Sequence, residues 1–512
     1  MTDKNGALLK LHTLDRERMY LERAAAVLRW DQETCLPPKG VEDRAEQLAL
    51  VEGLAHERLV DPEAGRLLEE LESHGEALPG LPALERDFLR VFRRDYHRAL
   101  KLSPEFVREC ARAEGLSQAA WVDARKNNDF AAFAPHLEKM IDLARKKSEY
   151  WGWTAAPGAP GSAYDGLLDV YEPGLGAADI AAVFLPLGKK LSALLAKITA
   201  KAAASGFFSK DPRRWDVQKQ DAFCRELLGT LGFDFTRGRL DLSAHPFTTT
   251  LGFNDVRITT RYAAEEPLSG LFSVIHEGGH GFYELGLDPA LRSSCLAEGT
   301  SMGIHESQSR LWENVIGRSR AFWEGWFSRF TEYFLPQMEG LDFDSFYRAM
   351  NAVSPSLIRV EADEVSYSLH IILRFELEQR LFQKTLRVQE LPGAWNKAME
   401  EYLGIKPASD TEGVLQDVHW SMGAFGYFPS YALGNLYGLQ FWEKLRECLP
   451  DTDAALARRD YTAIHDWLGK NIYRWGRRLE PRRLLADLTG KQLSAEPFLR
   501  YIEKKYTELY EL

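Results

Sequence analysis

A helical period sustained over most of the chain limits the fold more than any other feature of the sequence. From about Leu8 to Lys147, stretches such as "YLERAAAVLRW" and "FAPHLEKMIDLARKKSEYWGW" repeat apolar residues at intervals of three and four. That is the pattern of amphipathic helices packed on one another. It resumes from Pro267 to the C-terminus, broken by Gly/Pro-rich segments such as "GYFPSYALGNLYG". The one clear change of period lies between Phe233 and Tyr262, where "HPFTTTLGFNDVRITTRY" is rich in Thr, Val, Ile and aromatic residues around a turn. It reads as a small antiparallel hairpin, so the fold class is mainly α with a small antiparallel β-sheet. "TAAPGAPGSAYDGLLDVYEPG", with Pro157, Pro160 and Pro173, reads as a connector between helical layers of one structure, and no fixed repeat suggests a solenoid.

Composition narrows the function classes. A chain of 512 residues that is 45% hydrophobic and 27% charged can build a sizeable core and is not a disordered one. The formal net charge of −11 argues against nucleic acid or an anionic membrane as partner, and no apolar run is long enough to span a bilayer. Cys35, Cys110, Cys224, Cys295 and Cys448 are scattered and never form CxxC, so reduced, buried thiols are expected rather than disulfides or a cysteine metal site. "MTDKNGALLKLHTLDRERMY" lacks the features of a secretory signal, and a cytoplasmic setting is the expectation.

"SVIHEGGHGF" carries the chemistry. Pro267 suits a helix start, and Gly286 followed by Pro289 supplies a stop, so a helix of about nineteen residues should carry "LFSVIHEGGHGFYEL". On it His276 and His280 share one face, a spacing that lets two imidazoles converge on one ion, with Glu277 near the open position. Gly278 and Gly279 each cost about 1 kcal/mol relative to alanine inside a helix, and close approach of backbone or substrate would explain them. A third ligand must come from elsewhere. Glu306 in "TSMGIHESQSRLWENVIG", 26 residues after His280, is a candidate, with His305 and Glu298 as rivals. Glu306 equally fits an i, i+4 surface pair with Arg310.

Together with HEGGH and "HESQSR", the segments "WDQETCLPPKG", "YDGLLDVYEPG", "HPF", "DVRIT", "IRVEAD", "GVLQDVHW" and "GYFPSYALGN" occur in an order that resembles the carboxypeptidase Taq family of metallocarboxypeptidases. The resemblance covers most of the chain. It departs at Cys35, where the family more often has methionine, a position remote from the chemistry. It implies a large helical gluzincin fold of neurolysin-like architecture with a deep active-site cleft. Residues 1–512 are then one catalytic domain with two helical lobes around the cleft. It also implies a homodimer with one divalent metal ion per subunit, zinc or cobalt, held by His276, His280 and Glu306. The implied activity is release of single amino acids, with broad side-chain tolerance, from peptides bearing a free C-terminal carboxylate.

Other residues gain roles in that setting. Glu277 is the general base. Arg257 in "DVRIT" and Arg359 in "IRVEAD" are candidates for pairing with the substrate carboxylate, the alternative being salt bridges to the nearby Asp255 and Asp363. With the resemblance, Arg359 is the better anchor, Arg257 a second contact or a limit on peptide length, and His245 in "HPF" helps close that end. His419 and Tyr427 in "QDVHWSMGAFGYF" can each donate to a developing oxyanion, although taken singly both fit ordinary aromatic packing. Asp417 could orient a histidine. Two alternatives stand beside the carboxypeptidase: a metallo-oligopeptidase or dipeptidyl carboxypeptidase, and a helical peptide-binding scaffold with a structural metal.

Overall fold

The computed structural model describes residues 4–72, 81–154, 161–201 and 214–512. Its N-terminal part is the helical run that the apolar period predicts: α1 (Lys4–Thr34), α2 (Val41–Leu59), α3 (Pro62–Glu72), α4 (Ala83–Leu100), α5 (Pro104–Asn127) and α6 (Phe130–Tyr150). Local chemistry sets the boundaries. Ser103 caps α5 by accepting from the Phe106 amide, with Pro104 in the first turn. Asn128 then ends α5 in the left-handed region at φ 55°, and Asp129 caps α6. A Ser162–Asp165 capping box opens α7 (Ala163–Tyr171), which leads to α8 (Ala177–Lys201) and α9 (Val217–Thr230). In the expected connector, Pro157 and Pro160 lie outside the described residues, and Pro173 falls in the turn after α7.

The expected hairpin is β2 (Thr248–Gly252) with β3 (Asp255–Thr260), paired antiparallel with Thr248 opposite Ile258. A further strand, β1 (Gly238–Leu242), runs parallel to β3 and makes the order β1-β3-β2. The sheet is therefore mixed rather than antiparallel throughout. Parallel pairing leaves no local turn signature, which is why β1 does not stand out in the sequence.

The C-terminal half returns to helices. They are α10 (Pro267–Leu285), α11 (Met302–Arg310), a π-helical turn over Leu311–Ile316, α12 (Arg320–Tyr333), α13 (Leu335–Met338), α14 (Phe343–Met350), α15 (Tyr367–Phe382) and α16 (Leu391–Leu403). After them come α17 (Pro429–Cys448), α18 (Thr452–Ala457), α19 (Thr462–Asn471), α20 (Pro481–Thr489) and α21 (Glu496–Tyr510). The main core lies here: α10, α15 and α17 are buried on most of their faces, with apolar residues on more than one side of each helix. A second apolar cluster joins Leu11, Phe88 and Phe92 of the N-terminal helices to Leu291, Cys295 and Leu296 in the loop after α10. Burying that surface ties the N-terminal layer to the segment that leads into α11.

All five cysteines are free, but only Cys224 and Cys295 are buried; Cys35 and Cys448 are exposed at helix ends, which corrects the expectation of buried thiols. Among the described residues, no helix is long and apolar enough to cross a membrane.

Candidate active site

α10 begins at Pro267 and stops at Gly286, the bounds read from the sequence, and it places the His276 and His280 rings 5.0 Å apart. Glu306 comes from α11. The Nε2 atoms of His276 and His280 stand 3.7 and 3.5 Å from Glu306 Oε2. One ligand atom from each of the three residues lies within 4.8 Å of the others.

Glycines permit this approach. A β-carbon on Gly279 would lie 2.7 Å from the carbonyl oxygen of Gln308 and 2.7 Å from Ser309 Cα, so α10 and α11 meet backbone to backbone. On the other side of α11, a β-carbon on Gly434 of α17 would stand 2.5 Å from Glu306 Cγ. The close-approach explanation of Gly279 therefore holds, with backbone as the neighbour. Gly278 faces the Leu228 side chain, 2.8 Å from where its β-carbon would be.

Glu306 makes the i, i+4 pair with Arg310, buried rather than at the surface, and also faces the two histidines. Its Oε1 accepts from Arg310 Nε at 2.7 Å, the expected i, i+4 pair, while Oε2 faces the histidines. Burial opposes its charge, yet Arg310 and His276 hold the carboxyl well below the usual carboxylate range. The far ring nitrogens are also engaged. His276 Nδ1 is 2.8 Å from Glu313 Oε2, and burial is outweighed at Glu313 by Arg310 and His276, which hold it down to about 2. His280 Nδ1 is 2.6 Å from His305 Nδ1, and His305 Nε2 is 2.9 Å from Glu284 Oε1. Burial pushes His280 down to about 4, so it is neutral at neutral pH and offers a lone pair. His305 thus lies behind His280 rather than among the converging atoms. Glu298 is the other rival; its side chain is 44% exposed and lies 3.5 Å from Arg477.

Glu277 is buried next to this cluster. Thr248 Oγ1 of β2 donates to Glu277 Oε2 at 2.6 Å and to the Glu277 backbone carbonyl at 3.1 Å, and burial raises the pKa of Glu277. The small sheet thereby fixes the carboxylate on α10.

The arginines have definite partners. Arg257 pairs with Asp255 at 2.9 and 3.0 Å and lies over the Trp30 ring. Arg359 does not pair with Asp363, whose carboxylate accepts from the Ser354, Val365 and Ser366 amides. It donates instead to Asp417 Oδ1 through Nε and Nη2, at 3.0 and 2.9 Å, and through Nη1 to the Tyr367 hydroxyl at 3.2 Å. Asp417 is held by these bonds and by Arg374, and hydrogen-bonds to no histidine. His245 sits in the exposed β1–β2 loop, where its carbonyl accepts from Ser243.

The His419 and Tyr427 rings meet tilted by 40°, with centroids 5.5 Å apart. Burial pushes His419 down to about 4; its Nε2 lies 3.2 Å from the Tyr431 hydroxyl, and its Nδ1 has no hydrogen-bond partner among the described residues. Burial, with Glu306 nearby, pushes the Tyr427 hydroxyl up to about 12 and keeps it a donor. The loop that carries both is pinned by Glu378, which accepts from Trp420 Nε1 and the Gly426 amide. Arg310 joins the two halves of the site, because its guanidinium lies 4.0 Å over the ring of Tyr367, the residue that takes the Arg359 bond.

Reasoning from sequence missed Glu313, Glu284, Arg374 and Glu378. Glu313 had a weak signal, being two helical turns after Glu306 on the same run; the others show themselves only through tertiary approach.

Two neutral-capable imidazoles and a carboxylate on a largely helical scaffold, with a buried glutamate alongside, describe a metal-dependent hydrolase. The family model for the carboxypeptidase Taq (M32) metallopeptidases matches residues 10–506. Thermostable carboxypeptidase 1 of Thermus thermophilus is 41% identical over 99% of this chain and 99% of its own length. Carboxypeptidase 1 of Bacillus subtilis is 37% identical over 98% of this chain and 100% of its own. The crystal structure of M32 carboxypeptidase from Deinococcus radiodurans superposes with a TM-score of 0.94 at 39% identity, covering 99% of this chain and 100% of that one. The chain belongs to the carboxypeptidase Taq (M32) family and is a metal-dependent carboxypeptidase.

Proposed function

We propose that this enzyme removes single amino acids from peptide C-termini, with His276, His280 and Glu306 holding one zinc ion per subunit, or cobalt in its place. The convergence of both histidine Nε2 atoms on Glu306 Oε2 carries the assignment. Ligands about 2.0–2.1 Å from a tetrahedral ion stand about 3.4 Å apart, close to the separations observed, and the N, N, O donor set suits zinc. The Nδ1 atoms are occupied by Glu313 and His305, which orients the Nε2 atoms inward.

A bound divalent ion supplies Lewis acidity toward the scissile carbonyl and lowers the pKa of water. Glu277 takes the proton from the attacking water and delivers it to the leaving amine, a role suited to a carboxylate whose pKa burial has raised. Tyr427, and His419 in its neutral form, donate to the oxyanion. Arg359 receives the terminal carboxylate: of its five N–H groups three are engaged by Asp417 and Tyr367, which leaves two. Arg257, tied to Asp255, is a second contact for the carboxylate or a limit on peptide length, and His245, in its exposed loop, helps close that end of the cleft.

In this reading residues 1–512 act as one catalytic domain and assemble as a homodimer, following the family resemblance. The free, scattered cysteines support a cytoplasmic setting. The test is to incubate the zinc-loaded protein with matched free-acid and C-terminally amidated peptides and identify products by mass. Successive loss of single residues from the free acid, with the amide largely intact, is expected. Internal cleavage, or dipeptide release indifferent to amidation, would replace this reading with an oligopeptidase.

A further inference from the structure

Asp417 is shared. Its Oδ1 takes two N–H groups of Arg359 at 3.0 and 2.9 Å, and its Oδ2 takes two of Arg374, at 2.8 and 2.5 Å. All three side chains are nearly closed off from solvent, at 8% for Arg359, 12% for Asp417 and 0% for Arg374. Two guanidinium groups and one carboxylate leave one positive charge without a counter-charge. Of the groups around them, only Glu378 carries a partial counter-charge, on the side of Arg374. Burial pushes His419 down to about 4 and His370 well below its ordinary value, so both are neutral at pH 7. Tyr367 and Tyr431 present hydroxyls or ring faces. Glu378, one turn from Arg374 on α15, feels the Arg374 charge, but burial pushes it up to about 7 and its oxygens are bonded to Tyr164, Trp420 and the Gly426 amide and to neither arginine, so its partial charge faces Arg374 rather than Arg359. Asp363 is spent on backbone amides.

Holding an uncompensated charge in a closed interior is costly, so such a cluster favours an arriving anion. The surplus belongs on the Arg359 side. Arg374 has no exposure; its Nη1 donates to the His370 carbonyl, and its guanidinium lies between the Trp395 and Phe428 rings, so it cannot touch a substrate. We infer that Arg374 is a positioning residue for the carboxypeptidase reaction: by occupying one oxygen of Asp417 it keeps Arg359 from being neutralised, and so keeps it receptive to the peptide's terminal carboxylate. The inference rests on Arg359 being the carboxylate anchor. Without Arg374, both oxygens of Asp417 close on Arg359 and the site becomes neutral.

The experiment is a charge-swap series on the zinc-loaded enzyme, with KM and kcat measured on matched free-acid and amidated peptides and melting temperature and zinc content measured on each variant. Arg374→Gln, which sets the cluster's charge to zero, should raise KM for free-acid peptides at least tenfold and leave the weak cleavage of amidated peptides within about twofold. Arg374→Gln with Asp417→Asn restores the surplus charge and should recover most of the lost KM; Arg374→Lys should stay close to the parent enzyme. A role in folding alone predicts the opposite for the double variant, because it removes both partners. If KM rises equally for both peptide classes, or the double variant is worse than Arg374→Gln, the inference is overturned. If Arg374→Gln does not fold, the double variant decides: a retained preference for free acids supports the inference and a lost one overturns it. Arg359→Ala separates the two readings. Loss of the free-acid preference there, with no change in Arg374→Gln, leaves the anchor in place and removes only Arg374's role; an unchanged preference in Arg359→Ala removes the anchor itself.

Discussion

Glu306 and Arg310 form one buried ion pair, Nε to Oε1 at 2.7 Å, while the other carboxylate oxygen, Oε2, accepts from Ser309 Oγ at 3.0 Å. The guanidinium fixes one oxygen and turns the other toward the Nε2 atoms of His276 and His280. A pair that on sequence alone competes with metal binding instead orients the proposed ligand. Arg310 also lies over Tyr367, so the same side chain ties the candidate metal site to the arginine cluster around Asp417.

Glu277→Gln is expected to keep fold and metal content and to lower kcat by about two to four orders of magnitude, the usual contribution of a positioned acid–base group. The amide retains the hydrogen bond from Thr248 and loses the base. Single-turnover kinetics on a free-acid peptide check it, and a loss below tenfold assigns the proton transfer to another group.

Gly279→Ala should destabilise the protein by about 1–3 kcal/mol, the usual cost of overpacking. The added carbon meets the backbone of Gln308 and Ser309, which cannot swing aside. The same step pushes α11 away from α10 and should weaken zinc retention. Gly278→Ala meets only the end of the Leu228 side chain and should cost less. Thermal unfolding of the two variants with zinc analysis compares them, and a milder effect at Gly279 would contradict this account of the helix contact.

His419 carries a pH signature. Its folded value of about 4 lies below the ordinary 6.5, so the unfolded state binds the proton more readily. Its contribution is full above about 6.5 and is lost as pH falls from there toward about 4, a change on the order of 3 kcal/mol. Urea unfolding at pH 7 and pH 4 should show a smaller loss in His419→Asn than in the parent chain. Equal losses would mean that the imidazole is solvated.

The sequence resolves what is local and periodic. Pro267 and Gly286 bound α10 as read, because caps and breakers act within a few residues. β1 is missed, since its partner β3 lies beyond β2 and pairs in parallel. The charged partners were the hardest to foresee. Arg359 has Asp363 four residues away yet pairs with Asp417, 58 residues on, because Asp363 is consumed by backbone amides at the start of α15. Arg374 looks like any helix arginine until it is seen fully buried in the middle of α15.

Zinc retention tests the central assignment most directly. The parent chain and the variants His276→Ala, His280→Ala, Glu306→Ala and His305→Ala are loaded with zinc, dialysed together against a weak chelator and analysed for metal per folded chain. The account predicts about one ion in the parent, loss of most of it in each of the first three variants, and retention in His305→Ala with affinity lowered by about 10- to 100-fold, as for groups that orient a ligand. Full retention in Glu306→Ala with loss in His305→Ala would contradict it and move the third ligand to His305.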